Sequence, residues 1–178
     1  MSVSNEPETF AEGRFLRLVR RGHWEWTERT TARSAAIIVA LTVGRRVLFV
    51  EQRRLPLDAV TIELPAGLVG DRAGEQDEDA AVAARRELLE ETGHEAASIE
   101  FLAECPTSPG LTNETVRFYL ARDARQVGPG GGVDHEQIIV HSAPLEDCDA
   151  WLRGQRDLGK LIAATVYAGL RLAQAAGI

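Results

Sequence analysis

The chain has 178 residues, 44% hydrophobic and 26% charged, which suits one soluble globular domain with a real core and leaves too little for two. Its net charge of −7 excludes a broad nucleic-acid-binding surface, because such surfaces neutralise phosphates with clustered cations. No run approaches the roughly 18 apolar residues of a membrane span, and the acidic opening "MSVSNEPETFAEGRF" has no apolar signal region, so the expected location is the cytoplasm, away from membranes. Cys105 and Cys148 lack metal-ligand spacing and read as two ordinary reduced thiols.

In chain order, "FLRLVRRG" and "HWEWTERT" alternate apolar and polar residues and predict an antiparallel hairpin turning at Arg21-Gly22. "SAAIIVALTV", "RVLFVEQ" and "VTIEL" are β-branched runs separated by the Gly44 turn and the Pro56 loop, and they predict strands. From about Asp77 to Thr92 the pattern turns helical, with Asp77 or Asp79 as N-cap and Gly93 at the C-cap. "SIEFLAE", "TVRFYLA" and "QIIVHS" return to strand character, with "GPGGG" at 128–132 expected as a flexible loop. "LEDCDAWLRG" and "LGKLIAATVYAGLRLAQAA" predict closing helices. The pattern implies an α/β (α+β) fold, a mixed β-sheet sandwiched between α-helices, preceded by the hairpin.

"RRELLEETG" raises a question of charge. At 100° per residue, Ala81, Ala84 and Leu88 are expected on a packing face, with Val82 and Leu89 at its edge. Glu87 and Glu91 are expected together on the other side. Like charges at i,i+4 cost an isolated helix about 0.2–0.5 kcal/mol. Acidic groups near a helix C-terminus cost about 0.3–1 kcal/mol more. Arg86 can pair with Glu90, which leaves Glu87 and Glu91 uncompensated. Two readings answer this: a solvated acidic face, or a site for a divalent cation such as magnesium, with manganese as an alternative.

"ELPAGLVG" followed by "EDAAVAARRELLEETG" resembles the Nudix box, G-x5-E-x7-R-E-U-x-E-E-x-G-U, where U is bulky and apolar. The second half matches strictly from Glu78 through Arg86, Glu87, Leu88, Glu90 and Glu91 to Gly93. The first interval is ten residues instead of five, so either Glu78 or Glu75 stands for the first glutamate, and His94 replaces the last apolar residue. The resemblance implies the Nudix fold and magnesium-dependent hydrolysis of a nucleoside diphosphate linked to another group, by water that the metal activates. It implies Glu87 and Glu91 as principal metal ligands, Glu90 as a further one, the carbonyl of Ala66 as a backbone ligand, and Arg86 as the arginine that orients a glutamate.

"TSPGLTNE", which places Pro109 sixteen residues after Gly93 and Glu114 beyond it, is similar to the marker of Nudix ADP-ribose pyrophosphatases. "VEQRRLP" is similar to the V-E-Q-Y-R-x-P segment of that group, with Arg53 in the tyrosine's place and Arg54 as the arginine. The resemblance implies cleavage of ADP-ribose and related ADP-sugars to AMP and ribose 5-phosphate. GDP- or UDP-sugars are the alternative substrates, and a non-catalytic ADP-ribose sensor is the alternative class. Glu114 is the candidate general base on a mobile loop, or else an exposed glutamate. Arg54 either takes a phosphate or ribose or forms a surface ion pair. Trp24 and Trp26 point the same way on a strand; they stack on adenine or serve as core or dimer-interface residues. In this family the N-terminal strands commonly cross to a partner and help build its nucleoside pocket, which implies a homodimer, with residues 1–33 as the dimerisation and nucleoside-pocket segment and 34–178 as the hydrolase domain. His23, His94, His135 and His141 lack ligand spacing, and the acidic groups of "VDHEQ" read as solvated.

Overall fold

The computed structural model describes residues 6–32, 34–71, 74, 77–133 and 137–178. Glu75, His135 and its neighbours Asp134 and Glu136 lie outside the described residues.

A three-stranded antiparallel sheet comes first, with β1 (Glu8–Glu12), β2 (Leu16–Arg21) and β3 (Trp24–Arg29) in that order. The expected hairpin is β2–β3, with Arg21 paired to Trp24, so the turn falls one residue later, at Gly22 and His23. This sheet is tied to the body through the 107–114 loop: Thr27 donates its backbone N–H to Leu111 O at 2.9 Å, and Thr112 Oγ1 donates to Thr27 O at 2.9 Å. Phe10, Leu16, Leu18 and Trp24 are exposed on it.

The second sheet has nine strands among the described residues. They are β4 (Ser34–Thr42), β5 (Arg46–Arg54), β6 (Ala59–Glu63), β7 (Ala66–Val69), β8 (His94–Glu95), β9 (Ser98–Pro106), β10 (Thr115–Gln126), β11 (Ile139–Pro144) and β12 (Leu161–Ile162). Three helices pack on it, α1 (Ala80–Thr92), α2 (Cys148–Asp157) and α3 (Ala164–Ala175). The path runs β12-β6-β5-β4-β10-β8, with β7 on β4, β9 on β10 and β11 on β5. β4 and β10 run parallel, and the apolar run of β4 and the Phe118–Ala121 stretch of β10 follow from burial on both faces.

Strand alternation sorts the core into two layers. Ile37, Val39 and Leu41 of β4 meet Phe49, Phe118 and the helix residues Leu152, Val166 and Leu170. Ala36, Ile38 and Ala40 meet Leu48, Tyr119 and the Ala80, Ala83, Ala84 and Leu88 face of α1. The sheet is therefore sandwiched between α1 and the α2/α3 pair. Each fully buried aliphatic side chain there is worth about 1.5–3 kcal/mol.

Three expectations need correction. The last helix begins at Ala164 and not at Leu158, because Leu161 and Ile162 extend the sheet edge beside Thr61 and Ile62. The packing face of α1 is rotated: Val82 is 56% exposed, while Glu91 is 3% exposed. Glu91 follows Ala84 by seven residues, within about 20° of it around the helix, so it belongs to the buried side. The 128–132 segment is docked by hydrogen bonds on the end of α1, instead of standing free between strands.

Candidate active site

α1 is fixed at both ends as its sequence predicts. Asp79 Oδ1 accepts from the N–H groups of Ala81 and Val82 at 2.8 and 3.3 Å, and Gly93, at φ +69°, donates to Leu89 O at 2.8 Å. Upstream, β7 pairs antiparallel with β4 from Ile37↔Ala66 to Ser34↔Val69, which lays Ala66, Gly67 and Leu68 alongside the helix.

Arg86 is the hub of the charged cluster. Its Nε and Nη2 donate to the two oxygens of Glu78 at 3.1 and 3.2 Å, its Nη1 donates to Glu87 at 2.6 Å, and its Nη2 also reaches Leu68 O at 3.3 Å. The expected Arg86–Glu90 pair is present but longer, at 3.4 Å. Glu78, with a side chain 6% exposed, also accepts from Gly70 N at 3.1 Å, so it braces both the arginine and the start of the lengthened loop. Burial pulls the Arg86 pKa down, and the Glu78 and Glu87 carboxylates overcome it, leaving the guanidinium above its ordinary value. Burial pushes Glu87 up, and the attraction of Arg86 offsets this only in part.

The expectation that Glu87 and Glu91 are uncompensated is therefore corrected. Glu87 has Arg86, and Glu91 Oε2 accepts from the backbone N–H of Ala66 at 3.0 Å. Burying Glu91 is tolerable because a backbone donor meets it; an unpaired buried carboxylate is strongly disfavoured.

In front of this cluster lies a cavity of about 480 Å³ where Arg29, Arg54 and Arg86 stand with Asp71, Glu87 and Glu90. Ala66 and Gly67 also line it, and a Cβ on Gly67 would land on the Glu87 carboxylate, so only glycine leaves that carboxylate its place. Arg54 holds Glu63 through a two-pronged pair, Nε to Oε1 at 2.7 Å and Nη2 to Oε2 at 2.6 Å. Burial pushes Glu63 up, but Arg54 and Thr61 outweigh it and hold the carboxyl low. Arg53 does not line this cavity and pairs with Asp58, since successive residues on a strand face opposite ways.

A second cavity, of about 340 Å³, brings Trp24, Trp26 and Pro109 together with Asn113 and Glu28. Glu28, which sequence reasoning passed over, receives Trp26 Nε1–H at 2.8 Å, Asn113 Nδ2–H at 3.0 Å and Arg17 Nη2–H at 2.5 Å. Burial raises Glu28, and the Trp26 and Arg17 hydrogen bonds more than reverse it. The alternation in "WEWTE" already puts Glu28 on the same side as the two tryptophans.

Glu114 lines neither of these two cavities but touches both sets. Its carboxylate is ion-paired with Arg29, it shares a smaller cavity with Glu28 and Asn113, and the loop before it is hydrogen-bonded to β3. Arg29, also passed over in the sequence, lines the cavity with the carboxylates and a smaller one with Glu28 and Glu114.

Among the described residues no three His, Cys, Asp or Glu side chains form a ready cation cage. Of the three glutamates expected as ligands, Glu87 and Glu90 are bonded by Arg86, and Glu91 is held by the Ala66 N–H. The donor set still fits a hard divalent ion: Glu87 and Glu90 line one cavity with Ala66, Gly67 leaves room at Glu87, and Glu91, which does not line that cavity, lies behind it on the Ala66 N–H.

A sequence model of the NUDIX domain matches residues 31–158. The chain belongs to that family. The chain is 35% identical, across 105 residues, to a methanol dehydrogenase activator of Bacillus methanolicus, covering 59% of this chain and 54% of that protein. It is 32% identical, across 114 residues, to an ADP-ribose pyrophosphatase of Bacillus subtilis (strain 168), covering 64% and 59%. The chain thus spans between half and three fifths of the length of these relatives. The solved structure of an ADP compounds hydrolase matches 97% of this chain and 91% of its own with a TM-score of 0.72 at 19% identity, which shows a shared NUDIX fold. Among the described residues no helix is long and apolar enough to cross a membrane.

Proposed function

We propose that this NUDIX protein hydrolyses the pyrophosphate bond of ADP-ribose, releasing AMP and ribose 5-phosphate, and of related ADP-sugars, releasing AMP and the corresponding sugar phosphate. The observation that carries this is the cavity of about 480 Å³ in which three arginines stand with three carboxylates. Cations placed so can bind a diphosphate, and carboxylates placed so would hold a divalent ion beside it. Glu87, Glu90 and Glu91, with the carbonyl of Ala66, would hold magnesium, or manganese in its stead. When bound, such an ion supplies charge neutralisation of the diphosphate and acidification of water.

The chain's own residues supply the remainder. Arg54 and Arg29 bind phosphate oxygens, and Arg86 keeps the Glu87 carboxylate oriented. Glu114, released from Arg29 as substrate draws that guanidinium away, takes the proton of the attacking water. The cavity of Trp24, Trp26 and Pro109 takes the adenine by stacking, which agrees with the adenine nucleotides named for two of the similar proteins. The exposed apolar residues of the N-terminal sheet support a homodimer built through residues 1–33. The cytoplasm is the location this reading assigns to it.

The test is incubation with magnesium, then manganese, and a panel of ADP-ribose, ADP-sugars, GDP-sugars and UDP-sugars, following release of nucleoside monophosphate. Fastest cleavage of ADP-ribose is expected. Preference for a GDP- or UDP-sugar would overturn the adenine assignment, and no cleavage of any member would overturn the hydrolase reading.

A further inference from the structure

The last four carbonyls of an α-helix have no partner within the helix, and acidic side chains there worsen the negative end of its dipole. α1 carries Glu90 and Glu91 just before its last residue, Thr92, and the carbonyls of both are met from outside. Gly131 N–H donates to Glu91 O at 2.8 Å, and Gly132 N–H donates to Glu90 O at 3.1 Å. One residue past the helix, Gly93 O accepts from Val127 and Gly128 N–H at 2.8 and 3.0 Å. Four backbone donors of one loop thus converge on the end of the acidic helix.

This contact is backbone against backbone. Gly130 adopts φ +65°, and a Cβ there would stand 2.7 Å from Gly93 N and 2.8 Å from Glu91 O, with Thr92 C closer still. From the other side, a Cβ on Gly93 would stand 2.6 Å from Gly128 C and 2.7 Å from Gly130 N. Backbone cannot yield as a side-chain tip can, so any larger residue at 130 must push the two segments apart. The same loop leads directly to Val133, which lines the cavity of Glu87 and Glu90.

We propose that the glycine loop 127–132 is the positioning element of the acidic site: its N–H groups clamp the end of α1 and thereby set where the Glu90 and Glu91 carboxylates stand for a divalent ion. Gly130 is the positioning residue that makes the clamp possible. The role rests on the metal-dependent reading proposed above. It also explains why three glycines in a row occur where no phosphate-binding motif is present.

The experiment titrates wild type, Gly130→Ala and Gly159→Ala with Mn²⁺ alone, read by electron paramagnetic resonance, with thermal melting and amide hydrogen exchange alongside. Gly159 is the control, since it shares a positive φ, +82°, but has nothing within 4 Å of its Cβ position. Gly130→Ala is expected to bind Mn²⁺ about 10–100-fold more weakly, as when supporting partners of a metal site are lost. The Glu90–Gly93 amides should then exchange faster, while Gly159→Ala binds as wild type. A Gly130→Ala protein that melts lower but binds Mn²⁺ as the control does would overturn the proposal. Should Gly130→Ala not fold, the wild type decides: the Gly131 and Gly132 amides must be protected, and exchange at open-loop rates overturns the clamp. Mn²⁺ binding that depends on Gly130 in a protein that cleaves no panel substrate sinks the hydrolase reading and supports the clamp. A wild type without Mn²⁺ affinity sinks both.

Discussion

The backbone N–H of Ala66 donates to the carboxylate of Glu91 across 25 residues of sequence, at 3.0 Å, and couples the β7 strand to the end of α1. Glu91→Ala would strand that N–H, and the expected loss is about 1–3 kcal/mol in urea unfolding. Glu91→Gln keeps an acceptor and should cost less stability, while magnesium-dependent turnover falls about 10-fold or more. Equal stability of the two variants would show that the hydrogen bond does not hold the site together.

Arg86 meets Glu78, Glu87 and Glu90 at once, and its side chain is largely withdrawn from solvent. Arg86→Met leaves the Glu78 carboxylate buried without its partner, and a loss of about 3–5 kcal/mol is expected. Adding Glu78→Met should recover part of it, with a coupling of about 0.5–3 kcal/mol in a double-mutant cycle. Strict additivity of the two changes would show that the pair is not energetically linked.

On the opposite face of β5, Glu51 Oε2 receives Lys160 Nζ–H at 2.8 Å and lies 2.7 Å from His141 Nε2. The Lys160 hydrogen bond is the main cause holding the Glu51 pKa below the usual carboxylate range; burial opposes it and His141 assists. Because the folded-state pKa is lowered, the stabilisation is present above the unfolded pKa and is lost as pH falls through the folded one. Lys160→Met should therefore be less stable than wild type near neutral pH. The difference in urea midpoint should close as the pH drops below the ordinary glutamate range. A difference independent of pH would rule out the carboxylate as its source.

Trp24 is 58% exposed and shares a cavity with Trp26 and Pro109. If it stacks on adenine, Trp24→Ala should lose about 0.5–1.5 kcal/mol of binding, a KM roughly 2- to 10-fold higher with kcat little changed. Wild-type tryptophan fluorescence should respond to AMP. An unchanged KM with a shift from dimer to monomer in sedimentation would assign Trp24 to the subunit interface instead.

Much of the architecture was legible locally. Gly93 and an aspartate at 77 or 79 announced the limits of the box helix, the β-branched runs announced β4, β5 and β6, and strand character announced β10, because caps and alternation act within a few residues. The short strands β7, β8 and β12 were not legible, since two to four residues become strand only when a neighbour offers its hydrogen bonds. Arg29 and Glu28 carried no motif; their importance arises from what the fold sets beside them.

By itself the sequence determined the family, the acidic helix and its order of residues, because the box is a pattern of fixed spacing on one helix. It also determined that Trp24 and Trp26 share a side, because a strand alternates. Only the tertiary structure decided how the charges are met. Arg86 turns chiefly to Glu78 and Glu87, Glu91 turns inward to Ala66, and the glycine loop closes over the carbonyls of Glu90 and Glu91. Each of these partners lies on the face or end that another segment covers. Electrostatic pairing depends on distance in space, and spacing along the chain says nothing of which backbone N–H will arrive there.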